Sequence, residues 1–300
     1  MTTKIKTVGI LSPGDMGHVV GQVLRTHGLR VIAALQGRSL RTKTLAGQAG
    51  IEDVGTLDDL VQQADVLLSI LVPAEAVSAA QTVAQALQAT GATLLYADCN
   101  AIAPQTVRQI ETIITAAGGQ FVDASIIGPP PRKAGATRFY ASGPGAAAFE
   151  GLNAFGLAVV TLGEESGRAS ALKMCYAALT KGLTALATEL LTAAQSLGVA
   201  AALDQEFQLS QAQLYEQLKR QLPSMPPKAH RWVGEMEEIA QTFAQVGLTP
   251  NILTGAADMY RLVSQTELAK RTPEDQTPPP TAAQMAEVLA QYLVKSDLGG

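Results

Sequence analysis

Between Ser166 and Val199 the chain reads SGRASALKMCYAALTKGLTALATELLTAAQSLGV, a run rich in Ala and Leu and free of proline. Its glycines are Gly167, Gly182 and Gly198, and nothing in it breaks a helix. The stretch predicts one helix roughly 50 Å long, at about 1.5 Å per residue. A rod of that length exceeds the width of a small domain, so a domain is expected on either side of it. Lys173 and Lys181 interrupt its apolar surface, with Tyr176, Ala177 and Thr180 between them at spacings that predict one shared face. A lysine on the apolar side of a buried helix is costly unless it is paired or used. Lys173 is therefore expected to point into a catalytic cleft between the flanking domains.

The first half alternates short apolar runs with helical patterns. Lys6–Leu11 predicts a strand, Ser12-Pro13-Gly14-Asp15-Met16-Gly17 a tight turn, Met16–Thr26 a helix closed by Gly28, and Leu29–Leu35 a second strand. Strand, Gly-rich turn, helix and strand within about 30 residues make a dinucleotide-binding unit, whose turn brings backbone up to a pyrophosphate at the helix N-terminus. Ser12, Pro13, Gly14, Asp15 and Met16 are the expected cofactor contacts, with the Asp15 side chain turned away from the phosphates. At the end of the second strand an acidic residue would hold a ribose 2′-hydroxyl, and none is present. Gln36-Gly37-Arg38-Ser39-Leu40-Arg41 stands there instead, and Arg38 and Ser39 can bind a 2′-phosphate with Arg41 as a second cation. NADPH is thus expected over NADH.

The pattern continues with helix 57–64, strand 65–71, helix 74–89, strand 92–98, helix 104–117 and strand 120–126. Two further strands are expected at 138–141 and 158–162. Alternation of this kind predicts a parallel sheet with ligands at the carboxyl ends of its strands, which adds Leu71, Val72 and Asn100 to the candidate contacts. Asn100 also suits a plain turn or cap. Beyond the long helix the reading is all-helical: 204–221, 230–246, 251–272 and, after the Pro-rich linker 273–280, 281–294. The domain expectation is 1–163 for an NADP-binding Rossmann-type domain and 164–300 for a helical substrate and dimerisation domain. Its leftover apolar faces imply a homodimer through the C-terminal helices.

Composition narrows the class. A formal charge of −4 and the lack of any basic run argue against nucleic acid. Cys99 and Cys175 make no disulfide framework and suit a reducing cytoplasm. The N-terminal segment is too poor in apolar residues for a secretory signal, and charges interrupt every run long enough for a membrane. No spacing of Cys, His and Asp suggests a metal. His18 and His27 read as surface or packing residues. His230, with Arg231 and Trp232, either lines the cleft or packs.

Four segments resemble the β-hydroxyacid dehydrogenase family, which includes hydroxyisobutyrate and 6-phosphogluconate dehydrogenases. Gly9 to Gly17 (GILSPGDMG) is similar to its G-x-x-G-x-G-x-M-G, and Gly37-Arg38-Ser39 to the Asn-Arg-Thr/Ser of its NADP-using members. Asp123 to Pro129 (DASIIGP) falls where the family has D-A-P-V-S-G-G, and Gly167 to Lys173 (GRASALK) where it has G-x-G-x-x-x-K. The segment Arg231 to Glu238 looks like the C-terminal domain of a phosphogluconate-dehydrogenase-like branch. The resemblance implies an α/β Rossmann-type domain joined by a long helix to an all-α domain, and NADP(H)-dependent hydride transfer at a hydroxyl or carbonyl carbon. It also implies Lys173 as general acid/base, with Ser125, Ile127, Gly128, Tyr176 and Ala177 at the substrate. Departures occur there: Ile127 and Pro129 replace a serine and a glycine of the substrate-carboxylate loop, and Tyr176 and Ala177 replace a pair of asparagines. They imply a larger or less charged substrate than a short hydroxyacid. Arg132 and Lys133 supply either an anion site or a solvated loop. Imine reduction and a non-catalytic NADPH-binding sensor are the rival readings.

Overall fold

The computed structural model describes residues 5–271, 275 and 278–297. The chain divides into two compact units, Met1–Met174 and Cys175–Gly300. The division falls inside the long helix, whose first turn is bonded to the sheet.

In the first unit the described residues form one eight-stranded sheet of order β3-β2-β1-β4-β5-β6-β7-β8. Its strands are β1 Thr7–Ile10, β2 Arg30–Ala33, β3 Glu52–Asp53, β4 Val66–Ser69, β5 Leu95–Asp98, β6 Gln120–Ile127, β7 Arg138–Ser142 and β8 Val159–Thr161. Every neighbouring pair is parallel except β6 with β7. The helices are α1 Gly17–Thr26, α2 Leu40–Ala49, α3 Leu57–Gln63, α4 Ala76–Thr90, α5 Pro104–Ala116 and α6 Ala146–Glu150. The order of the sheet reverses beside β1, which leaves a crevice at the carboxyl ends of β1, β2 and β4.

Alternation along each strand separates two cores. Val8, Ile10, Val31, Ala33, Val66, Leu68 and Ala97 belong to one buried cluster, with Val20 and Leu24 of α1 and Phe149 of α6. Ile32, Leu67, Tyr96 and Phe121 belong to the other, with Leu60 of α3, Val83 and Leu87 of α4 and Ile110 of α5. Strands apolar on both faces are what a sheet covered by helices on both sides requires. Gly9 sits where a Cβ would stand 2.9 Å from a Leu67 methyl and 3.1 Å from a Leu60 methyl, so a larger residue would have to push these side chains aside where α3 meets β1.

The long helix α7 spans Arg168–Ser196 and carries the chain from the first unit into the second. There follow α8 Ala200–Ser210, α9 Ala212–Gln221, α10 Ala229–Gln245, α11 Asn251–Ser264 and α12 Ala282–Asp297. In the second unit α10 and α11 pack through Met236, Ile239, Leu253, Ala257 and Tyr260, and the Trp232 and Tyr260 rings meet edge to face at 5.2 Å.

Two helix expectations need correction. The single helix 204–221 is two helices, because the backbone leaves the helical region at Gln211 (φ −136°, ψ 28°). That turn lets the Phe207 ring reach Tyr215 (5.2 Å) and the Tyr215 hydroxyl donate to Asp204 at 2.8 Å. The expected helix 251–272 ends at Ser264, and a short 3-10 turn, Glu267–Lys270, follows Thr266. Helix α2 and strand β3 were not foreseen. Ser39 caps α2 by accepting from the Thr42 amide, and Gly50 closes it at φ +68°. Its composition is too polar to show a helical stripe, with Ala46 and Ala49 its buried residues. Within the Pro-rich linker 273–280, residues 273, 274, 276 and 277 lie outside the described residues.

Candidate functional site

The turn after β1 is shaped by its glycines. A Cβ on Gly17 would run into the Ser12 carbonyl, so α1 starts where it does only with glycine there. Nothing lies within 4 Å of the Cβ position of Gly14, so that side of the turn is open to a ligand. Pro13 is buried, and Ser12 and Met16 are half-buried. The exposed Asp15 carboxylate pairs with Arg41 at 2.6 Å, which offsets a charge that would otherwise repel a diphosphate. His18, expected at the surface or in packing, is buried and structural: its Nδ1 donates to the Gly14 carbonyl at 2.6 Å. Arg132 of the β6–β7 loop donates to His18 Nε2 at 3.4 Å, which fits that tautomer.

Beside the turn lies a cavity of about 640 Å³ lined by Leu11, Gln36, Gly37, Arg38, Leu71 and Thr82, among others. It occupies the crevice that the sheet order creates, and its size suits a drug-sized group such as an adenosine. Arg38 donates to the Leu11 carbonyl at 2.9 Å, which anchors its guanidinium at the rim. Ser39 stands next to it as the α2 cap, at a helix N-terminus that favours an anion. The nearest carboxylate on β3, Asp53, accepts from the Leu35 and Gly55 amides at 3.0 and 2.9 Å, so those backbone groups occupy it. The predicted contacts Leu71 and Arg38 line this cavity, and Val72, the residue after Leu71, is exposed. Sequence reading missed Thr56, Glu75, Ser78 and Thr82 in the same wall. Ser78 and Thr82 were accessible to it, since a hydroxyl pair four residues apart on a helix shares one face.

A second group of polar side chains sits at the carboxyl ends of β4, β5 and β6. Ser69, Asp98, Asn100, Asp123, Ser125 and Ser170 are all buried there. Asn100 works as a strut between strand ends: its Oδ1 accepts from the Leu71 amide at 2.6 Å, and its Nδ2 donates to Ser69 and Asp98 at 3.1 Å. Its amide thus holds the cofactor-side loop in place. Burial pushes the Asp98 carboxyl up to about 7, with Asp123 raising it further and Asn100 and Lys173 opposing. Lys173 is half-buried and lies within electrostatic reach of both Asp98 and Cys99.

This raised carboxyl has a stability consequence. The folded chain holds the Asp98 proton where the unfolded chain has released it, so stability falls as pH climbs from about 4 to about 7. Between pH 5 and 8, urea unfolding of the wild type should lose on the order of 2 kcal/mol more than that of Asp98→Asn. Parallel pH curves for the two proteins would remove Asp98 from the account.

Of the expected substrate residues in the first unit, Ser125 and Ile127 are buried on β6, with the Ser125 and Ser170 hydroxyls 3.4 Å apart. Gly128 follows at φ +125°, where a Cβ would strike the Ala136 carbonyl, so the loop can turn only with glycine. In the second unit the expected common face of α7 divides. Ala177 is buried, Tyr176 is 49% exposed, and Thr180 is exposed. Lys181 is paired with Glu235 and lies 5.3 Å from the Trp232 ring, while the Tyr260 hydroxyl donates to its carbonyl at 2.6 Å. Lys181 therefore ties α7 to α10 and α11, and Trp232 belongs to the same packing.

A Gly-rich turn, an anion-accepting cap and a crevice at the switch point of a parallel sheet define a nicotinamide-dinucleotide-binding domain, followed here by an all-helical unit. Residues 2–177 match the family model for the NADPH-binding domain of acetohydroxy acid isomeroreductase, and residues 194–263 match a domain of unknown function, DUF1932. A conserved protein of unknown function, whose solved structure is described as similar to 3-hydroxyacid dehydrogenases, is 31% identical. That match has a TM-score of 0.65 and covers 89% of this chain and 100% of the other. A 3-hydroxyisobutyrate dehydrogenase from Mycobacterium tuberculosis shares the fold at 20% identity and TM-score 0.63, over 86% of this chain and 93% of its own. An uncharacterized 28.5 kDa protein of Methanothermus fervidus is 29% identical over 192 residues, 64% of this chain and 72% of that protein. The chain belongs to the family defined by the NADPH-binding domain of acetohydroxy acid isomeroreductase, which fills its first half, and its fold is that of the β-hydroxyacid dehydrogenases. Among the described residues, no helix is long and apolar enough to cross a membrane.

Proposed function

We propose that the protein is an NADP(H)-dependent oxidoreductase acting at a hydroxyl or carbonyl carbon, with Lys173 as its general acid/base. The observation that carries this reading is Lys173 on the first turns of a helix bonded to the sheet, in electrostatic reach of Asp98 at a strand end. When bound, the nicotinamide supplies or accepts the hydride. The open side of Gly14 and the α1 N-terminus receive the diphosphate, and Arg38 and Ser39 the 2′-phosphate. Lys173 donates a hydrogen bond to the substrate oxygen and delivers its proton as the carbonyl becomes an alcohol, or takes it in the reverse direction. Ser125, Ile127 and Gly128 of β6 and its loop, and Tyr176 and Ala177 of α7, are the proposed substrate contacts. Their apolar share supports a substrate larger or less charged than a short hydroxyacid. A panel of 3-hydroxyacids with NADP+, and of ketones and cyclic imines with NADPH, read at 340 nm, tests the reaction class. Turnover of hydroxyacids or ketones is the expected result, and turnover of imines alone would replace it with imine reduction.

The proposed assembly is a homodimer in the cytoplasm. Two free cysteines suit a reducing compartment. Leu172, Leu179 and Leu186 recur every seventh residue along α7 and are exposed, the last two by 68 and 55%. Helix α8 has no buried residue at all. A seam of exposed leucines at this period is the pattern of a helix packing against a partner. Light scattering should give about twice the 31.2 kDa chain mass, and Leu179→Glu with Leu186→Glu should give the chain mass. A wild-type monomer at micromolar concentration would exclude the dimer.

A further inference from the structure

The first N–H groups of a helix have no partner within it, and a local Ser, Thr or Asp normally supplies one. Helix α7 takes its partners from the sheet instead. The Gly167 and Ser170 amides donate to Asp123 Oδ2 on β6, both at 3.0 Å, and the Ala169 amide donates to Ser142 Oγ on β7 at 3.0 Å. Ser142 in turn donates to Asp123 Oδ2 at 3.0 Å, and the Ser170 hydroxyl donates to Asp123 Oδ1 at 2.8 Å. The local candidate Ser166 is engaged elsewhere, donating to Glu111 at 2.9 Å.

Approach to the helix is equally constrained. Gly167 stands at φ +98° with Arg108 and Pro104 each 3.1 Å from its Cβ position, and Gly143 at φ +99° with Ser166 Oγ in its way at 2.5 Å. Register places Asp123 beside Asp98 on one side and Ser142 on the other. A carboxylate has thus been buried, at the expense of its solvation, where an exposed local cap would have started the helix as well. What the buried arrangement adds is register: the first turn of α7 cannot rotate or slide without breaking bonds to two strands.

We propose that Asp123, Ser142 and Ser170 are positioning residues that fix Lys173, one turn further along the helix, relative to the ends of β5 and β6. This rests on the reading of Lys173 as the general acid/base. It predicts that loosening the clamp moves the Lys173 amine specifically. Ser170→Ala and Ser142→Ala, each removing one hydroxyl without adding volume, are the variants to make. Trace acylation with acetic anhydride, followed by peptide mass spectrometry, reads the labelling of Lys173 against Lys181, an internal standard held by Glu235. The Lys173:Lys181 ratio should change about fivefold, the factor for one lost hydrogen bond. On whichever compound the wild type turns over, kcat should fall by about tenfold while the Kd for NADPH stays within about twofold. An unchanged labelling ratio in both variants would overturn the clamp, and so would a ratio that moves with equal loss of NADPH binding. Full turnover by Lys173→Ala would instead remove the role of the lysine, with the labelling ratio still judging the clamp.

Discussion

Lys173→Ala is expected to lower kcat by about a hundredfold or more, the usual range for losing a general acid/base, with the Kd for NADPH within about twofold of wild type. The two halves of this prediction come from different parts of the first unit. The proposed dinucleotide contacts lie at the β1 turn and around the cavity of Leu11, Arg38 and Leu71, all at the carboxyl ends of β1, β2 and β4. Lys173 lies with Asp98 and Asp123 at the ends of β5 and β6, strands further along the sheet. Removing the amine leaves the first set untouched and takes the proton relay from the second. Lys173→Arg should fare little better, because a guanidinium keeps its proton at neutral pH and cannot act as a base. Stopped-flow turnover and fluorescence titration with NADPH on the same preparations would check both halves. A Lys173→Ala variant with wild-type kcat would end the assignment.

Arg38→Ala should weaken NADPH binding by about 10- to 100-fold and leave NADH binding within about threefold, from the 1.5–3 kcal/mol typical of hydrogen bonds to charged groups. Arg38 is the cation to alter because its bond to the Leu11 carbonyl already points it along the cavity rim. Arg41→Ala should matter less. Its guanidinium is shared with Asp15, so a phosphate there gains a partner that is partly neutralised. Isothermal titration with both cofactors separates these cases, and equal losses for NADPH and NADH in Arg38→Ala would mean that it holds something other than the 2′-phosphate.

Much of the first unit was legible because its strands are apolar runs and its turns carry glycines with a steric task. The run from Lys6 to Gly17 fixes strand, turn and helix within a few residues, and the structure differs only at the ends. Helix α2 was not legible, since LRTKTLAGQA buries little beyond Ala46 and Ala49 and depends on its caps. The break at Gln211 carries no Gly or Pro, and the Phe207–Tyr215 contact that accompanies it is visible only in the folded chain. Lys173 stood out as a charge in an apolar helix, but so did Lys181, and its partner Glu235 lies too far along the chain to be paired by reading. Asp98 ends an apolar strand, and Asp123 lies midway along the next. Register makes them neighbours, and that juxtaposition is a property of the sheet.

The account turns on whether a hydride leaves the bound cofactor. Purified protein should be mixed with NADPH deuterated at the transferable C4 position and the ketone panel, and the products weighed by mass spectrometry. Deuterium on the new carbinol carbon, appearing about a hundredfold more slowly when Lys173→Ala replaces the wild type, is the predicted result. NADPH bound in stoichiometric amount with its deuterium retained against every compound would contradict it, and would leave a protein that binds the dinucleotide without using it.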